Sequence, residues 1–183
     1  MRINAHAARR FLTLYMRLQL FAGQRCGVIP AKMSFDDFIE ESLPVKIACR
    51  DKIYEPEPLF DHFLLAYDDT LSIEDYNTVA DWRRFLRGTF IILRHLKQHT
   101  VFIASASPPS AYGVLSLTTD LEDLLPKPRL PISVQTVLLP FEGTIVCDGM
   151  LNIHNMVIGL NMRRNLNEEY QEMKSTGRFF RTL

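Results

Sequence analysis

Residues Leu138–Asn155 read LLPFEGTIVCDGMLNIHN. An apolar run ends at Phe141, Glu142-Gly143 follows, and a second β-prone run starts at Thr144. Such a pair between two runs predicts a tight hairpin, because the glycine supplies the positive φ that two-residue turns need. Asp148-Gly149 and His154 close the stretch and open a second reading, a catalytic loop in place of the corner of a sheet.

On either side of this hairpin the same short β-rich runs recur. Strands are expected over Thr89–Leu93, Thr100–Ala104, Ala111–Leu117, Ile132–Leu139, Thr144–Cys147 and Met156–Leu160. Turn material separates them, notably Ser105–Pro109 and Pro126–Pro128. The expectation is a mostly antiparallel sheet of five or six strands.

Before Gly88 the apolar period is helical. Phe11, Leu14, Tyr15, Leu18 and Phe21 mark an amphipathic helix from about Ala5 to Gly23, ended by Gly23 and Gly27. Ser34 caps a short helix with Asp36 and Asp37 in its first turn, and Pro44 is expected to close that piece. Pro58 opens a third helix over Glu57–Asp68, with Leu59, Phe63, Leu64 and Tyr67 on one stripe. Ser72 caps a fourth helix whose face is Tyr76, Val79, Trp82 and Leu86; Arg83, Arg84, Arg87 and Gly88 make its expected C-terminus. A final helix opens at Asn165 and stops at Gly177. Helices first, strands next and one helix last give an α+β class, one domain over 1–183 with a helical half (1–88) and a sheet half (89–183). Phe90, Ile92, Phe102, Val114, Val137, Leu139 and Ile145 are the expected core, with Trp82 joining the two halves.

Composition narrows the function classes. With 183 residues, 47% hydrophobic and 23% charged, the chain is an ordinary globular one and not a disordered one. No apolar run reaches the roughly 18–20 residues that span a bilayer, and Met1–Arg10 lacks the order of a secretion signal, so no membrane partner is expected. Cys26, Cys49 and Cys147 are odd in number and far apart, which suits reduced thiols in a cytoplasm. Formal net charge is zero, yet every charged side chain from Arg2 to Lys32 is basic and every one from Ile53 to Trp82 is acidic.

Several groups of residues could carry chemistry. Asp148, His154 and Glu168, with Glu169 beside it, could hold a divalent ion or perform acid-base catalysis in a metal-dependent hydrolase or nuclease. Against this, Asp, Gly and Asn are standard turn residues, and the spacing matches no ligand motif. His95 and His99 have the i, i+4 spacing of a helical metal pair but lie in a β-prone run without the partner glutamate, where solvated side chains are the plainer expectation. Cys147 reads as a buried strand cysteine, and Ser105, Ser107 and Ser110 lack a nucleophile-elbow motif. Arg9, Arg10, Arg17, Arg163 and Arg164 could grip nucleic-acid phosphates; the competing reading pairs the basic helix with the acidic Ile53–Trp82 stretch.

The phrases GTFIILRHLKQHTVFI (Gly88–Ile103), YGVLSL (Tyr112–Leu117), LPISVQTVLLPFEGTIVCDGMLN (Leu130–Asn152) and MRRNLNEEYQEMKSTG (Met162–Gly177) together resemble a family of uncharacterised microbial proteins. Its marks are an LPFxGxIxxDG hairpin and an RRxLNxxY helix start, and the likeness covers at least Trp82–Gly177. Cys147 stands where the pattern has an aromatic residue and Asn161 where it has a glycine. The resemblance implies a shared fold unit and no reaction.

The leading expectation is therefore a cytoplasmic microbial protein that binds or regulates and does not catalyse. No cofactor or resident metal is expected. Its partner would be another protein or a second copy of the chain, with nucleic acid as the alternative.

Overall fold

The computed structural model describes residues 1–104, 107–156 and 158–183. They form two compact units, His6–Arg83 and Met1–Ala5 with Arg84–Leu183. Helices come first, a sheet follows and one long helix comes near the end, so the chain is α+β.

In the first unit, α1 (Ala5–Arg25) buries Phe11, Leu14, Tyr15 and Leu18 on the stripe that its periodicity marks. Trp82 is fully buried and meets Phe11 and Tyr15 edge-on, with centroids 5.2 and 5.5 Å away. Gly23 does not end α1. A Cβ there would lie 2.4 Å from Cys49 Sγ, so the glycine lets the helix that carries Cys49 approach, and the stop falls at Gly27 with φ +69°.

Ser34 caps α2 (Phe35–Glu40) and Ser72 caps α5 (Ile73–Asp81), each accepting the amide three residues on, as their patterns predict. Pro44 does not close a helix; it sits in the first turn of α3 (Leu43–Tyr54), where its missing N–H costs nothing. The next helix, α4, is shorter than expected, Phe60–Tyr67. After α5 a 3₁₀ turn, Trp82–Arg84, ends the helical path, and Arg87 and Gly88 belong to a strand and not to a helix terminus.

The second unit holds β1 (Leu86–His95), β2 (Thr100–Ala104), β3 (Ser110–Leu115), α6 (Leu121–Leu124), β4 (Ile132–Phe141), β5 (Thr144–Cys147), β6 (Asn152–His154), α7 (Leu160–Ser175) and β7 (Phe179–Phe180). Long β1 pairs with β2 through its second half and with β4 through its first, so β1-β2-β3-β5-β4 close into a five-stranded barrel. Five pairings are antiparallel, whereas β3 runs parallel to β5 and β7, so the sheet is mixed.

Strand alternation sorts its residues. Phe90, Ile92, Phe102, Val114, Val134, Leu138, Ile145 and Cys147 form the interior, joined by Leu121 and Leu125 at α6. The outer face of β1–β3 (Ile91, Leu93, Val101, Ile103, Ala111) is covered by Tyr170 and Met173 of α7. Every expected core residue is buried, Val137 and Leu139 included. The β4–β5 connection is the expected hairpin, with φ positive at both Glu142 (46°) and Gly143 (70°), as a type I′ turn demands. The strand expected over Met156–Leu160 includes Val157, which lies outside the described residues; β6 precedes it and Leu160 opens α7. Ser105 and Ala106 of the expected Ser105–Pro109 turn also lie outside them.

Candidate functional site: two arginine-lined grooves

The Asp-Gly pair of the opening stretch does structural chemistry. Asp148 is buried, and its Oδ1 accepts hydrogen bonds from Thr136 Oγ1 and the Met150 amide, both at 3.0 Å. Gly149 takes φ +84°, so a side chain that hydrogen-bonds the backbone two residues on and a left-handed glycine together turn the chain out of β5. Cys147 Sγ contacts Thr136 Oγ1 at 3.2 Å inside the barrel.

His154 lies on β6 opposite Ser133, and its Nδ1 is 3.1 Å from the Ser133 hydroxyl. Glu168 is exposed on α7, 3.3 Å from Arg164 one turn earlier. Asp148, His154 and Glu168 thus each have a different partner, and among the described residues no group of three His, Cys, Asp or Glu side chains could hold a metal ion.

His95 and His99 lie on the β1–β2 hairpin, so the helical pair geometry is absent. Neither is a solvated side chain. The His95 ring joins Thr100 Oγ1 (2.9 Å) and the Leu125 carbonyl (2.8 Å), tying β1 to the end of α6. His99 is only 6% exposed, its ring 5.3 Å from that of Phe179 and against Gly113, where a Cβ would come within 3.0 Å. Burial, reinforced by Arg181 and Lys174, holds its pKa below the ordinary value.

The arginines divide sharply. Arg10 is bound within the helical unit, to Glu74 at 2.6 Å, Asp75 at 2.8 Å and Thr78 at 2.9 Å. This is the intrachain pairing that the acidic stretch predicts, and Arg164 is likewise matched by Glu168. Arg9 and Arg17 have no carboxylate partner among the described residues. With His6 and Thr13 they form one stripe of α1, at steps of three, four and four residues. They line a groove of about 270 Å³ with Arg10 and Asp75, and Arg17 lies over the Phe35 ring at 5.8 Å.

A second groove, of about 380 Å³, belongs to the barrel unit and is lined by Arg129, Pro131, Ile132, His154, Ile158 and Arg163 among others. Arg163 Nε donates to the Ile158 carbonyl at 3.2 Å, which fixes the guanidinium. Among the described residues neither of its arginines has a carboxylate partner and no acid lines the groove. Arg129 escaped sequence reasoning because it follows Pro126-Lys127-Pro128, a run that reads only as a turn.

No protein-family model, curated protein or solved structure matches the chain.

Proposed function

We propose that this is a binding protein without a catalytic centre, and that it holds nucleic-acid phosphates along α1. The observation that carries this reading is the stripe His6, Arg9, Thr13 and Arg17. It opens on a groove, and the one acid among the described residues that line it, Asp75, is already engaged by Arg10. Arg9 and Arg17 are eight residues apart, about 12 Å along a helix, a spacing suited to a backbone laid lengthwise. Contacts of this kind read phosphate and not base edges, so the binding is sequence-independent and salt-sensitive.

The barrel supports a binding role by analogy of fold alone. OB-type barrels bind oligonucleotides on the face of strands 2 and 3, and here α7 lies over that face, which favours α1 as the contact. Free thiols at Cys26, Cys49 and Cys147 support a reducing, cytoplasmic setting, and no helix among the described residues is long and apolar enough to cross a membrane.

Fluorescence anisotropy of a labelled single-stranded oligonucleotide tests the reading, with unlabelled duplex as competitor. Binding at low salt that weakens steeply as salt is added is expected. Absence of binding at low salt would overturn it.

A further inference from the structure

We infer that the groove on the barrel unit binds a small organic phosphate, of the class of a nucleoside monophosphate. Its lining combines two kinds of chemistry. Arg129 and Arg163 bring two guanidiniums to one cavity with no carboxylate among the lining residues, and a phosphate monoester is the dianion whose oxygens match such planar forks. Arg163 is already oriented through its Nε contact with the Ile158 carbonyl, which leaves the two terminal nitrogens to a ligand. His154 is held at Nδ1 by Ser133, so its Nε2 can serve as a further polar contact. Pro131, Ile132 and Ile158 add apolar lining that inorganic phosphate would leave uncovered and a flat base or ribose would cover. At about 380 Å³ the space falls in the range of small-ligand sites. This site is independent of the α1 stripe, which shares none of its residues.

Isothermal titration of the full chain with AMP, adenosine and inorganic phosphate is the test. AMP should bind with a dissociation constant below about 1 mM, and adenosine and phosphate each at least about tenfold more weakly. Arg129 is exposed, so Arg129→Gln should keep the far-ultraviolet circular dichroism and weaken AMP about tenfold or more. Asn155→Glu, which places a carboxylate in the groove, should weaken it at least as much, whereas Arg9→Gln/Arg17→Gln should leave it unchanged. Equal binding of AMP and adenosine, an Arg129→Gln variant with native affinity, or no binding of AMP at all would overturn the inference. Loss of AMP binding in the α1 variant alone would overturn it too, by moving the ligand elsewhere.

Discussion

The Thr136 hydroxyl donates to the Asp148 carboxylate at 3.0 Å inside the barrel wall, both residues being nearly inaccessible to water. The bond joins the middle of β4 to the turn that leaves β5, beside the point where the Asp148 amide meets the Val137 carbonyl. Thr136→Val keeps the shape and removes the donor, leaving a buried carboxylate short of a partner. The expected loss is about 1–3 kcal/mol of unfolding free energy, read by chemical denaturation. A variant as stable as the parent would show that the carboxylate is satisfied without Thr136.

His99 makes stability depend on pH in a definite direction. Its pKa is lowered in the folded state, by burial first and then by Arg181 and Lys174, whereas an unfolded histidine titrates near 6.5. Below about pH 6.5 the unfolded chain therefore binds the proton more readily than the folded chain does. Stability is full above that pH and falls as the solution is acidified towards the folded pKa. The measurement is the urea midpoint at about pH 7.5 and about pH 5.5, either side of the unfolded value, for the parent and for His99→Gln. A smaller acid-induced drop in the variant is expected; equal drops would contradict it.

The thiols differ in their surroundings in a way that a labelling reagent can count. Cys26 is exposed, whereas Cys49 and Cys147 are buried. Burial, with the charges of Glu41 and Cys26 adding to it, pushes the Cys49 thiol up to about 11. A disulfide reagent at neutral pH should titrate one thiol in the folded protein and all three in denaturant. Rapid modification of a second thiol under native conditions would contradict this packing.

These features were legible in the sequence to different degrees, for identifiable reasons. The edges of β5 were readable because Glu142-Gly143 and Asp148-Gly149 bound the run, and the caps at Ser34 and Ser72 because capping is local. Arg83, Arg84, Arg87 and Gly88 imitate a helix terminus, so the first residues of β1 read as helix until their pairing with β4 is known. Pro44 is ambiguous because proline both ends helices and starts them. The parallel pairings of β3 with β5 and β7 are long-range and leave no periodic trace. His99 reads as solvated until Gly113, across the sheet, is seen to make room for its ring. The split among the arginines was half visible: opposite charge blocks foretold a partner for Arg10, but only the fold separates it from Arg9 and Arg17.

Whether α1 grips a phosphate backbone through Arg9 and Arg17 is decided by the salt dependence of oligonucleotide binding. For a single strand, the slope of log affinity against log salt changes by about 0.7 for each phosphate that the protein ceases to neutralise. Arg9→Gln/Arg17→Gln should therefore flatten the slope by about 1.4 relative to the parent while the circular dichroism spectrum is unchanged. Parallel slopes with equal affinity would mean that α1 does not hold the strand.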